Sequence, residues 1–239
     1  MKDFGNGFTL VDKSIYRYDS ETFTSLKKVI DYDSFELVEA YKDKTFYFKD
    51  RNRVYVTSYM CTPSVIEGAN PKTFKVIDTE EGIGFDGNNY YWYQETLPYD
   101  YSKAEKYNEY YVRVGQQVFF FTIFVDGADA DTFSIIWQNI ARDKDSLFFK
   151  GVKEPLVDID TFKMVPGCFD DFHLDQSHTY YAANKDNVYF INTISRGLKK
   201  LSGVKPAEFS VKIVDERLYG LTPKGYYYFG IKKKGDIPQ

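Results

Sequence analysis

Two phrases recur along the chain, and each couples a polar turn to an apolar run. In the first, an acidic or small residue opens a short turn that ends on Phe and a β-branched or aliphatic stretch. It reads DYDSFELV around Phe35, ANPKTFKVI around Phe74, ADADTFSII around Phe133, VDIDTFKMV around Phe162 and VKPAEFSVKIV around Phe209. In the second, Asp and Lys or close substitutes precede an aromatic run. Its copies are VDKSIYRY from Val11, YKDKTFYF from Tyr41, FDGNNYYWY from Phe85, ARDKDSLFF from Ala141 and ANKDNVYFI from Ala183, with a decayed copy, TPKGYYYFGI, from Thr222. Asp and Asn suit the turns because their side chains bond their own backbone and tolerate left-handed conformations. The alternating or clustered aromatics behind them predict strands.

Asp12, Asp43, Asp86, Asp143 and Asp186 mark successive turns, separated by 31, 43, 57 and 43 residues. Units of that size match propeller blades better than the short coils of a β-helix. The pattern predicts an all-β, β-propeller-like fold of about five repeated units, each of three or four short antiparallel strands. The units span 9–38, 39–78, 82–137, 138–166 and 170–214, with a partial unit at 216–232, in a single domain over 1–239. Pairing of the N-terminal strand with the RLYGLTPKGYYYFG hairpin would close the ring and remove exposed edges. An open stack of small β-sheets is the alternative. Regular recurrence places Phe35, Phe74, Phe133, Phe162 and Phe209 in a core between units.

The third unit is swollen between Tyr91 and Tyr111. Within that stretch SKAEKYNEY predicts about two turns of helix, with Ser102 as N-cap. Insertions in repeat proteins map to loops, often on a binding face.

Composition sharpens the fold and narrows the partners. The chain holds 22 Tyr, 21 Phe and 2 Trp, side chains suited to pleated, half-buried surfaces. Lys and Arg number 31 against 35 Asp and Glu, an excess of four negative charges. Nucleic acid binding needs a concentrated basic face, so that partner is disfavoured. A basic protein partner fits the balance better. The start of the chain has no apolar stretch of signal-peptide length, and no window approaches about 18 uninterrupted apolar residues, so no membrane partner is expected. VFFFTIFV, from Val118 to Val125, is the longest apolar run and predicts a buried strand. A cytoplasmic protein with Cys61 and Cys168 reduced is expected; a single disulfide between them is the alternative.

The motifs NKDNVYFI at 184–191, RDKDSLFFKG at 142–151 and ANPKTFKVI at 69–77 resemble the bacterial DKNYY repeat family. The resemblance runs roughly from Asp12 to Val214 and departs from the pattern where Gly87 replaces the Lys of the Asp-Lys pair. It implies a fold lineage and brings no catalytic residue with it. Proteins of this look occur beside bacterial toxin modules, which implies an immunity protein in a toxin–antitoxin or contact-dependent inhibition system.

Candidate chemistry is sparse. Asp126, Asp129 and Asp131 sit in an oxygen-rich DGADAD stretch, but the Gly and Glu positions of a calcium-binding loop are missing. Asp residues capping backbone amides in a turn account for it better. His173 and His178 lie among Asp170, Asp171 and Asp175, beside Cys168. Five-residue spacing puts two histidines on neither one helical face nor one strand face, so an acidic loop is preferred to a metal site. No nucleophile elbow, phosphate loop or dinucleotide fingerprint is present. No enzyme activity, cofactor or metal is therefore expected.

The swollen unit interleaves rings with carboxylates. Rigid aromatics bury much area for little entropy, and carboxylates complement Lys and Arg on a partner. The expected partner-binding set is Trp92, Tyr93, Glu95, Tyr99, Asp100, Tyr101 and Glu105, with Asp170, Asp171 and Asp175. The leading function is a non-catalytic protein-binding module, in its sharpest form an immunity protein that blocks the active or substrate-binding face of a basic toxin such as a nuclease. A carbohydrate or cell-envelope binding module is one alternative. A hydrolase using a carboxylate pair in a propeller channel is the other.

Overall fold

The computed structural model describes residues 1–41, 45–58, 61–155, 158–168, 178–195 and 197–237. They form seven four-stranded antiparallel sheets, each built from four strands consecutive in the chain. In chain order sheets 1 to 7 cover residues 2–22, 36–65, 75–96, 105–124, 134–154, 163–200 and 210–233. The chain divides into two compact units. Met1–Ala104 holds sheets 1 to 3, and Glu105–Gln239 holds sheets 4 to 7. The fold is all-β and built of repeated small sheets, as the recurrent phrases predict. The first strand, Lys2–Gly5, pairs with Phe8–Val11 of its own sheet. The RLYGLTPKGYYYFG hairpin likewise pairs within sheet 7.

Five Phe phrases yield seven sheets for a simple reason. Each phrase leads into the first strand of a sheet: Phe35 into Glu36–Tyr41, Phe74 into Lys75–Asp78, Phe133 into Ser134–Trp137, Phe162 into Lys163–Met164 and Phe209 into Ser210–Val214. Sheets 1 and 4 open without one. The recurrent sequence unit and the sheet are therefore offset by one strand. The swollen stretch contains the start of sheet 4, whose first strand Glu105–Lys106 stands where the helix is expected and pairs with Tyr111–Val114 just beyond it.

A buried polar side chain ties four of the five phrases to their sheets, a carboxylate in sheets 2, 3 and 5 and an amide in sheet 6. Asp50 sits in the turn between the second and third strands of sheet 2. One oxygen accepts from the amides of Asn52 (2.7 Å) and Arg53 (2.8 Å). The other accepts from the Asp31 amide in the entry loop (2.8 Å) and the Tyr55 hydroxyl (2.6 Å). Asp86 repeats the arrangement with Asn88, Asn89, Asn70 and Tyr91. Asp143 repeats it with Asp145 and Asp129, Phe148 standing where the phenol would be. In sheet 6 Asn184 takes the role, accepting from Asp186 and Asn187 while its amide donates to the Asp158 carbonyl. The anchor residues are 3–4% exposed. The entry-loop partner stands four positions before the phrase Phe, so one contact fixes where that ring lands.

The Asp-Lys signature follows from the same contact. The residue after the anchor reaches the first residue of the entry loop: Arg51 to Asp31 at 2.5 Å, Lys144 to Asp129 at 3.0 Å and Lys185 to Asp158 at 3.3 Å. In sheet 3 those two positions are Gly87 and Asn70, so cation and anion are absent together. Such exposed pairs add little stability, and their joint loss is tolerated.

The phrase Phe rings fill the interior of each unit. Phe35 stacks on Phe48 at 5.2 Å, and Phe133 lies 5.3 Å from Tyr111 and 5.7 Å from Phe148. Phe74 presses over Gly84, and Phe209 over Gly220, where a Cβ would collide with the ring. Buried tyrosines join neighbouring sheets. Tyr47 donates to the Gly82 carbonyl (2.6 Å) and accepts from the Tyr93 amide (3.0 Å). Tyr111 likewise donates to Asn139 (2.9 Å) and accepts from Gly151 (3.1 Å). Burial raises both phenols well above the ordinary range.

Two predictions follow from this packing. Phe74→Ala should lower the unfolding free energy by roughly 3–5 kcal/mol through lost burial and a cavity, measured by urea denaturation. Gly84→Ala should also destabilise, and Phe74→Leu in the same chain should recover part of that loss. The second concerns acid. Burial pushes the Asp50 and Asp86 carboxyls up, but the donors around them outweigh it and hold both below the ordinary range. Their contribution is complete above the unfolded value of about 3.9 and is lost as pH falls through the lower folded value. Asp86→Ala should cost roughly 3 kcal/mol at neutral pH, because it leaves buried donors unpaired. The loss of stability on acidification should be shallower in the variant than in the parent.

Candidate functional site

The residues expected to bind a partner fall into separate places. Trp92 ends the strand Tyr90–Trp92 and faces Glu95 across the hairpin. Tyr93, between them, adopts a left-handed conformation (φ 55°) that brings its amide onto Tyr47. Two-residue hairpins favour such a conformation. Burial and the neighbouring Cys61 push the Tyr93 phenol up to about 12. Trp92, Tyr93, Tyr99 and Tyr101 are all half-buried. The Tyr101 hydroxyl donates to Asp78 at 2.7 Å, and burial raises the Tyr99 phenol to about 12.

Asp100 has a structural task. It accepts from the Ser102 amide (3.1 Å) and hydroxyl (2.6 Å), capping the 3-10 turn Tyr101–Lys103, and pairs with Lys103 at 3.0 Å. The Ser102 hydroxyl and Lys103 hold its carboxyl down at about 2. The helix expected over SKAEKYNEY is thus one 3-10 turn, and its cap is Asp100, not Ser102. Strand pairing of Tyr111 with Phe120 claims the following residues. Of the expected carboxylates, Glu95 and Glu105 remain exposed. Glu95 belongs to the first unit. Glu105 opens the second, opposite Arg113. Asp170, Asp171, Asp175 and His173 lie outside the described residues.

Two of the three DGADAD carboxylates, Asp129 and Asp131, are occupied locally. Asp129 accepts from the Asp131 amide (3.1 Å) and pairs with Lys144, and Asp131 meets Arg113 at 2.6 Å. This is the amide-capping turn expected of the sequence. Cys61 is exposed and Cys168 buried, both as free thiols. The Cys168 sulfur accepts from the Tyr181 amide at 3.3 Å.

Charge is segregated along the chain. Residues 1–195 hold 31 Asp and Glu against 21 Lys and Arg, whereas 196–239 hold 4 against 10. The small net charge therefore conceals a markedly acidic stretch followed by a basic one, a feature the total alone does not reveal. Among the described residues no helix is long and apolar enough to cross a membrane.

A family model, the DKNYY family, matches residues 8–189. The chain belongs to the DKNYY family. No curated protein and no solved structure matches it. At Asp143–Lys144 the Asp-Lys element is a turn whose carboxylate points inward and whose cation closes over the entry loop.

The thiols give a direct check on this region. Hydroxyls of Ser58 and Tyr93 lower the Cys61 thiol below its ordinary range. Ellman's reagent should titrate one thiol in the native protein and two in urea, and the native signal should vanish in Cys61→Ser. A native signal that survives that substitution would contradict the placement of Cys168.

Proposed function

We propose that this DKNYY-family chain is a non-catalytic binding protein that captures a protein partner with a basic face. In its sharpest form it is a cytoplasmic immunity protein that covers the substrate-binding surface of a bacterial toxin. The observation that carries the reading is the division of labour among its carboxylates. Asp50, Asp86, Asp143, Asp100 and Asp129 are held by backbone donors or cations of the chain itself. Glu95 and Glu105 stand exposed within the acidic stretch, available to a partner's Lys and Arg.

Surface carboxylates of this kind act mainly on capture rate and specificity, so their effect is screened by salt. Asp100 is unsuitable for testing them, because its loss would uncap a turn. Glu95→Lys and Glu105→Lys leave the anchors untouched.

The test is co-expression with the toxin domain encoded beside this chain's reading frame. Growth arrest by the domain alone, rescue by the protein and a co-purifying complex are expected. The double lysine variant should bind about tenfold more weakly at low ionic strength, with the gap narrowing at high salt. Continued arrest with no complex would refute the reading. Rescue by the double variant with unchanged affinity at both ionic strengths would remove these two residues from the interface.

A further inference from the structure

A groove of about 730 Å³ opens among sheets 4, 5 and 6, all within the second unit. Its size suits a small molecule. One wall is aromatic. Tyr110 meets Phe121 edge-on at 5.5 Å and lies parallel to Phe120 at 6.1 Å, while Phe120 and Phe121 touch at 4.9 Å. The lining also holds Lys150, Asn139 and His178.

The cation arises from a departure in the repeat. Sheets 1, 3, 4, 5 and 7 place a left-handed residue first in the turn between their third and fourth strands. In four of them it is aromatic: Tyr18, Tyr93, Phe121 and Phe229. In sheet 5 it is Lys150, with φ 49°. Its amide is fixed to the Asn139 carbonyl at 2.9 Å. The side chain is half-buried, and among the described residues its ammonium has no ion-pair or hydrogen-bond partner. A cation with no counter-charge among the described residues is open to a charge-assisted bond from a bound anion.

Asn139 supplies a second unmet demand. It is 5% exposed, and its Oδ1 is buried with no hydrogen-bond partner among the described residues. Buried polar atoms are seldom left so. His178 is pinned by its carbonyl, which accepts from the Thr193 amide at 2.7 Å and hydroxyl at 3.2 Å. The carboxylate beside the aromatic wall, Glu109, is bonded to the Tyr110 hydroxyl.

We propose that this groove binds a small planar anion, an aromatic ring bearing a carboxylate or phosphate. The ring would lie against Tyr110 and Phe121, and the anionic group would meet Lys150. The site is independent of the partner surface around Glu95.

Calorimetric titration with four probes tests it: adenosine monophosphate, N-acetyltryptophan, adenosine and inorganic phosphate. At least one of the first two should bind with Kd at or below about 1 mM. Adenosine and phosphate, each lacking half of the pattern, should bind at least tenfold more weakly. Which of the first two prevails separates a phosphate from a carboxylate ligand. Lys150→Asn and Phe121→Asn both suit the left-handed backbone. The first should keep the parent melting temperature. The second should lower it modestly through the lost ring packing on Tyr110 and Phe120 while staying folded at the temperature of the titration. Each should weaken binding about tenfold, the loss of one charged contact or one ring. Lys150→Arg keeps the charge, and it should retain binding even if either Asn variant fails to fold. Absence of binding by both ringed anions, or binding indifferent to Lys150→Asn and Phe121→Asn, would overturn the proposal.

Discussion

A carboxylate turned inward at a hairpin is the contact on which the remaining architecture rests. A small sheet cannot bury its own aromatic face, and its entry loop has no regular backbone partners. Asp50 and Asp86 address both needs at once. Each collects two amides of its own turn, one amide of the loop four residues before the phrase Phe, and one phenol from the next strand. The loop is thereby set against the sheet, and the Phe that follows is delivered into the interior. Burial of a carboxylate is costly unless its lone pairs are satisfied, and here they are.

This arrangement bears on function by subtraction. Among the described residues, Asp129 and Asp131, which look like metal-binding groups in the sequence, are engaged with a backbone amide, with lysine or with arginine. The Tyr47 and Tyr111 hydroxyls bridge sheets from the inside, and Tyr101, expected at a partner surface, donates to Asp78. What is left to meet other molecules is a limited set: exposed acids in the first 195 residues and a mixed groove in the second unit. The binding proposals rest on those remainders.

Much of the fold was legible in the sequence, because burial demands the same ring at the same offset each time. Phe35 and its counterparts announced the repeat for that reason. The number of sheets was not, since sheets 1 and 4 open without the phrase and leave no mark of the same kind. The anchors were harder still. Asp12 reads as an anchor but lies exposed in a two-residue hairpin with φ 46°. Asp186 donates its amide to Asn184, which is the residue turned inward. Asp is frequent at every turn position, and only three-dimensional burial distinguishes the one that faces in. The helix expected after Ser102 failed because a short segment has little helical stability of its own and strand pairing prevailed. The groove was invisible in the sequence because Tyr110, Phe121, Asn139 and Lys150 come from separate turns of two sheets.

Hydrogen exchange at three loop amides tests the anchoring scheme most directly. The amides of Asp31, Asn70 and Asp129 lie in irregular loops, yet each donates to a buried carboxylate. They should exchange as slowly as the central strand amides of their own sheets, and protection should disappear at Asn70 alone in Asp86→Asn. Exchange at the rate of neighbouring unbonded loop amides in the parent protein would contradict the account.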